Sequence, residues 1–512
     1  MEYQLTREIC PVCETLLEGT KEQPIDIGLE LPDYCPDIER ILKCRVSPSV
    51  TGRSVSGDML EVNGSALLSL YYIDAKKQAV RLCEHSMPFS CSFQLREPAP
   101  DASVSVRLRP DYINCRAVSP RKADIHGAFS VIVSASAGSS QEYVTGIAGD
   151  DIQQSLRHET VSRLCCCTQQ QFSITEVLDI GQGRGVPETI LRSELGVSCH
   201  SVKALTDKLM LTGEAVLKIV YLTDAETGAQ DSMSFNVPFS QVIDAAGADD
   251  GTVNDIRLEV MNYSAALRSE YDESSTLVTL DARLCATVSA YEDKEITVIE
   301  DAYSTDYDLE LSYKQYRLTR LAALTDITHY AEAQLSSGDS RITQVTDLWC
   351  ETVSPLCVYE NGSISVRGKL LCCMLALDGD GVPFYMERPV EFSVSPDTPA
   401  GLTSPLIRTD VSVKNISFRI TGDNTVDIRA ELRLTGAVYD NIQLRGVSGV
   451  TASEDSCRVK DRTAALTLYY AEEGERLWDI ARAYCTSAEA IRLENEMTED
   501  VVAARGMLLI PM

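Results

Sequence analysis

The sequence predicts a mainly β protein: three repeated antiparallel β-rich modules with short lead-in helices, then a small C-terminal unit ordered strand, helix, helix, strand. Three observations predict it. Period-two apolar stripes recur at a spacing near 150 residues across the 512-residue chain. Aromatics are sparse at 6%, while Val, Ser, Thr and Leu recur, a composition that favours extended structure. After residue 460 the apolar period changes from that of a strand to that of a helix.

The stripes fix the first element of each repeat. Leu60, Val62, Gly64, Ala66, Leu68, Leu70 and Tyr72 alternate with other residues, and so do Leu209, Leu211, Gly213, Ala215, Leu217, Ile219 and Tyr221. The third copy reads Ile364, Val366, Gly368, Leu370, Cys372, Met374 and Ala376. Each is a strand pattern with a glycine in the same register, closed by an Asp-containing turn. The glycines are 149 and 155 residues apart (64 to 213, 213 to 368). A glycine inside a strand marks a bulge or a close backbone approach, so a steric role is expected for all three. Pro88, Pro238 and Pro389 keep the same step and are expected to open the next extended stretch. A later strand recurs at 125–137, 278–290 and 426–438, with one apolar and one wetter face.

A lead-in precedes each set. Residues 24–28 (PIDIG) and 177–181 (VLDIG) share an apolar-Asp-Ile-Gly tetrapeptide, and 331–350 holds a looser counterpart. Pro36-Asp37 and Pro187-Glu188 read as helix starts, with proline in the first turn and a carboxylate favoured by the helix dipole. The resulting division is 1–160, 165–310 and 311–460 for the three modules and 464–512 for the tail unit, in line with ~150 residues per domain.

In the tail, Leu466 to Tyr470 and Met507 to Ile510 read as strands. Leu477, Ile480, Ala481 and Tyr484 fall on one face of a helix. Thr486-Ser487-Ala488-Glu489 is a capping box that starts a second helix at about 487–495. Gly474, Leu477-Trp478-Asp479-Ile480-Ala481, Tyr484, Asn495, Arg505-Gly506 and Leu508-Leu509-Ile510-Pro511 make this unit resemble the LysM family. The family's Gly-Asp-Thr-Leu-Trp entry is altered here to Gly474-Glu475-Arg476-Leu477-Trp478. The resemblance implies a core of Leu477, Trp478, Ile480, Ala481, Tyr484, Ile491 and Ile510, and a ligand groove between loops 471–476 and 495–501. Glu473, Gly474, Glu475, Arg476, Asn495, Glu496, Met497 and Thr498 are then the expected partner-binding residues. Such modules commonly bind N-acetylglucosamine polymers. The acidity of these loops points instead to a basic protein surface, and Trp478 reads as core rather than as a sugar platform.

Beside a LysM-like tail, the repeats resemble SPOCS domains of endospore-forming Firmicutes, through Pro36-Asp37-Ile38 and the Gly64 strand ending Tyr71-Tyr72-Ile73-Asp74. The domain order resembles that of SipL-type spore coat morphogenetic proteins. That resemblance implies a non-enzymatic adaptor in the mother-cell cytoplasm, at the forespore surface. It would bind the coat morphogenetic ATPase, stage IV sporulation protein A, through the LysM unit. The alternative is a peptidoglycan-binding protein of the wall or cortex that uses the same unit on glycan.

Composition narrows the classes further. With 46 Lys+Arg against 76 Asp+Glu, the formal charge of −30 repels nucleic acid and anionic lipid. No apolar run approaches the roughly 20 residues of a membrane helix, and the first residues, MEYQLTREICPVC, lack a signal-peptide core. Eighteen cysteines, some adjacent, do not read as a disulfide framework; they suit a reducing compartment, as small buried hydrophobes. No cofactor is expected. Cys10 and Cys13 are the one weak metal candidate, because a structural zinc needs a second close pair and Cys35 and Cys44 are too far apart in sequence. Five histidines share no repeated spacing, and no phosphate-binding Gly-Lys-Ser/Thr loop occurs. Asp378-Gly379-Asp380-Gly381 starts like a calcium loop but Val382 ends it, so a hairpin turn is expected. An enzyme built on carboxylates alone would need an acidic pair that no spacing singles out.

Overall fold

The computed structural model describes residues 3–76, 78–181, 184–268, 277–338, 340–352, 355–457 and 466–511. Three β units share one plan. In the first, β1 (Leu5–Glu30) is followed by β2 (Ile38–Ser56), β3 (Met59–Asp74), β4 (Val80–Gln94), β5 (Ser103–Ser119) and β6 (Lys122–Ile147). The second runs β7 (Ile152–Asp179), β8 (Thr189–Leu205), β9 (Lys208–Asp224), β10 (Ala229–Asp244), β11 (Val253–Leu267) and β12 (Leu277–Ser304). The third comprises β13 (Tyr307–Ser336), β14 (Gln344–Thr352), β15 (Leu356–Glu360), β16 (Ser363–Leu377), β17 (Pro383–Val394), β18 (Pro405–Gly422) and β19 (Thr425–Cys457). The tail holds β20 (Leu466–Ala471), α1 (Leu477–Ala483), α2 (Ala488–Glu494) and β21 (Gly506–Pro511).

Each β unit is two antiparallel sheets face to face, β2-β3-β4 on β1-β6-β5 in the first, and their counterparts in the others. The alternating stripes face inward. Leu60, Val62, Leu68 and Ile125 are fully buried in the first core, and Ile364, Val366, Val426 and Leu432 line the third. The in-register glycines have the same cause in every copy. Gly64, Gly213 and Gly368 stand opposite Phe89, Phe239 and Phe392 on the neighbouring strand, and a Cβ at any of them would meet the ring at 2.2–2.6 Å. The phenyl ring folds across the space that the missing side chain leaves.

Three expectations need correction. No helix precedes residue 477 among the described residues. At Pro36-Asp37 the chain turns instead, because Arg121 donates to the carbonyls of Leu31, Pro32 and Cys35 and to the Asp37 carboxylate, while Ile38 N–H bonds Pro120 O. Those bonds satisfy the backbone that a helix would have satisfied. At Pro187-Glu188 the Glu188 N–H goes to Leu222 O, which leads straight into a strand. Pro88, Pro238 and Pro389 do not open strands either; they lie inside β4, β10 and β17. All three are edge strands, where a missing N–H costs no ladder bond.

The first and last strands of each unit outrun its sheets and continue as a two-stranded ribbon. A register shift sits at the exit of each ribbon: at Thr15/Leu17, Ala290/Tyr291 and Leu321/Ala323. Such bulges sharpen twist and re-aim the strands. The three ribbons pack on one another. Tyr143, Ile296 and Leu444 lie equally far past Ile125, Val278 and Val426, and all three join one buried cluster. Cys10, Val161 and Leu318, on the partner strands, pair with Gln141, Lys294 and Ile442 at corresponding rungs and join the same cluster. The repeats are thus arranged as an internal pseudo-trimer about an apolar three-ribbon core. Gly446 permits the closest approach, since a Cβ there would lie 2.3 Å from Val298.

A second junction joins the same units through β2, β8 and β14. Lys43, Arg192 and Asp347 occupy corresponding rungs, opposite Tyr71, Val220 and Leu375. Arg192 grips Asp347 with two 2.7 Å bonds and stacks on Trp349 at 5.3 Å, Lys43 reaches Glu387 at 2.6 Å, and Tyr71 OH donates to Leu191 O.

Candidate functional site

The tail unit runs in the order β20, α1, α2, β21. β20 and β21 pair antiparallel from Leu466↔Pro511 to Ala471↔Gly506. Ser487 Oγ caps α2 by accepting from Ala490 N–H at 3.0 Å. Leu477, Ile480, Ala481, Ile491 and Ile510 are buried, with Trp478 and Tyr484 half-buried against them. Residues 464–465 and Met512 lie outside the described residues.

The two predicted loops lie side by side. Gly474 N–H bonds Val502 O, Val502 N–H returns to Glu475 O, and Leu477 N–H bonds Asp500 O. Gly474 takes a left-handed φ of +87°, which glycine adopts without strain. Glu475 is turned inward, accepting from Tyr469 OH and from Glu472 N–H. Arg476 is paired with Asp479. Asn495 ties its loop to β21: its amide donates to Ile491 O and Leu509 O and accepts from Leu509 N–H, each at 2.7 Å. Met497 packs on the core, while Glu473, Glu496 and Thr498 face solvent. A cleft of about 750 Å³ opens on the β20–α1 side. Gly474, Glu475 and Arg476 line it together with Tyr469, Asp479 and Tyr484, and no residue of 495–498 does.

Trp478 has a further role that the sequence did not reveal. Its indole N–H donates to Asp301 at 3.2 Å, Arg482 reaches the same carboxylate at 2.7 Å, and Tyr303 OH donates to Thr486 O at 2.8 Å. The Tyr303 ring meets Trp478 edge-on at 4.8 Å. These contacts dock the tail onto the end of the second unit's ribbon. Asp301 and Tyr303 lie some 180 residues upstream of the groups they hold, so only the fold reveals them.

On its other side the tail sheet is apolar and uncovered. Leu466, Leu468 and Tyr470 project from β20 opposite Pro511, Leu509 and Met507 of β21. Leu468 is 58% exposed, Tyr470 73% and Met507 52%.

No cluster of His, Cys, Asp and Glu able to hold a metal occurs among the described residues. Cys10 and Cys13 are three apart on an extended strand, so their side chains leave opposite faces and cannot share an ion. Cys10 is buried in the ribbon core, Cys13 contacts Cys167, Cys35 neighbours Cys83 and Cys44 neighbours Cys115. The Asp378 segment is a hairpin turn, its carboxylate accepting from Asp380 and Val382 N–H. No helix among the described residues is long and apolar enough to cross a membrane.

A family model described as SipL, SPOCS domain matches residues 37–118 and 187–268. Two segments of the chain thus match the SPOCS domain model. They coincide with β2 to β5 and with β8 to β11, the same four strands of successive units, and point to a sporulation-related role. The counterpart in the third unit is unmatched, and there the strand corresponding to β2 is split into β14 and β15. No curated protein and no solved structure matches the chain.

Proposed function

We propose that this chain is a non-enzymatic adaptor of spore coat or envelope assembly, acting in the mother-cell cytoplasm at the forespore surface. Its LysM-like tail binds the coat morphogenetic ATPase, stage IV sporulation protein A, and helps anchor the coat. The two SPOCS matches support the sporulation half of this reading. The observation that carries the binding half is the uncovered apolar face of β20 and β21, on a unit whose Trp478 side is already occupied by the body of the protein. Charge shapes the choice of partner. The tail's arginines Arg476, Arg482, Arg492 and Arg505 each face a carboxylate, which leaves Glu473, Glu496 and Glu499 to favour a basic surface around an apolar patch.

The test is a pull-down of the purified ATPase by the full chain, by a chain lacking 464–512, and by a full-length Leu468→Glu, Tyr470→Glu variant. Binding by the first alone is the expected result. Retention by the truncated chain sinks the docking assignment. Co-sedimentation of the full chain with purified peptidoglycan, abolished by the same truncation, favours the glycan alternative instead.

A further inference from the structure

Among the eighteen free thiols, one pair bridges two β units in a setting made for chemistry. Cys13 lies on β1, in the first unit's ribbon, and Cys167 on β7, in the second's. Both pack against the same apolar cluster of Leu164, Tyr291, Ala437 and Tyr439, which makes the two thiols neighbours across the junction. Cys167 gathers hydroxyls: Ser103 Oγ lies 3.3 Å from its sulfur, and Ser289 OH donates at 3.9 Å. Both cysteines are half-buried, unlike the cross-strand pair Cys350 and Cys372, whose sulfurs are 3.2 Å apart within the third unit's core.

We propose that Cys13 and Cys167 are an oxidation site, closed by a hydroperoxide into a disulfide that staples the first β unit to the second. The Cys167 thiolate attacks the peroxide O–O bond, giving Cys167 sulfenic acid and releasing hydroxide. The Cys13 sulfur then attacks the sulfenic sulfur, the S–OH bond breaks, and the hydroxyl leaves as water with the Cys13 proton. Two thiols and one hydrogen peroxide thus give one disulfide and two waters. The Ser103 and Ser289 hydroxyls at the Cys167 sulfur favour its thiolate over its thiol. Cys167 is therefore the attacking sulfur and Cys13 the resolving one.

The test is peroxide treatment of the full chain, alkylation of remaining thiols, and tryptic mapping. Peptide 8–21 linked to peptide 164–184 is the expected product, with fragment ions placing the link at Cys13 and Cys167. Cys13→Ser and Cys167→Ser should each abolish that species, and Cys10→Ser should leave it. Thermal unfolding of each variant under reducing conditions shows that it is folded. The proposal is overturned if the treated wild-type chain yields both cysteines alkylated or over-oxidised but unlinked, or if the linked species survives in Cys167→Ser.

Discussion

The two junctions that hold the pseudo-trimer together solve one geometric problem with opposite chemistry. In the ribbon core, corresponding rungs carry Cys10, Val161 and Leu318, then Tyr143, Ile296 and Leu444, all essentially fully buried. At the other junction the corresponding rungs carry Lys43, Arg192 and Asp347. Apolar burial is non-directional, so three similar units can satisfy it with almost any side chains of suitable volume. A buried ion pair demands one orientation and one partner, and Arg192 meets Asp347 only where the β8 rung faces the β14 rung. The polar junction thus adds an oriented contact that the apolar core lacks.

The largest effect is expected where a buried charge loses its partner. Arg192 and Asp347 side chains are each 6% exposed, so Asp347→Ala leaves a guanidinium in a dry site with only Glu194 and the Trp349 face. A loss of ~3–5 kcal/mol is the expected scale, read as a shift in the denaturant midpoint of the full chain. Leu318→Ala in the apolar core should cost somewhat less, ~2–4 kcal/mol, because the lost methyl groups leave a cavity but no uncompensated charge. The comparison breaks if Leu318→Ala proves the costlier of the two. It sharpens if replacing Arg192 and Asp347 together by apolar residues restores stability but lets the units associate between chains.

Much of this architecture was legible locally, and the rest was not for definite reasons. The alternation over residues 60–72 fixed a half-buried strand, and the glycine in register signalled a close approach, which the opposing phenylalanines supply. The pattern over Leu477 to Tyr484 located α1, and the Thr486-to-Glu489 run located α2, but the cap is Ser487 accepting from Ala490 N–H, not a Thr486–Glu489 box. Pro36-Asp37 misled because helix-start chemistry is also turn chemistry, and Arg121, far along the chain, decided between them. The ribbons were missed because their apolar residues are spaced among polar ones, as in Glu142-Tyr143-Val144-Thr145, and only packing between repeats buries them. Trp478 packs on the tail core, but its partners Asp301 and Tyr303 could not be found without the fold.

The smallest effect lies at the rim of the ribbon core, where the first unit's Glu8 meets the second unit's Lys294 at 2.9 Å and accepts from Tyr143 OH at 3.1 Å. The bond from Lys294, chiefly, and that from Tyr143 hold the Glu8 carboxyl below its ordinary pKa. A carboxylate with a depressed folded pKa stabilises the fold fully above its unfolded value and loses that contribution as pH falls through the folded one. Both partners are about half exposed, so the contribution is under ~1 kcal/mol and falls with salt. A chain of net charge −30 changes its self-repulsion on acidification, so the total stability curve hides this pair. The difference between wild type and Glu8→Gln isolates it: a small advantage for wild type at pH 7 that closes as pH falls below the ordinary carboxylate range. If the gap instead stays constant down to pH 3, Glu8 acts through its packing on Tyr143 and not through its charge.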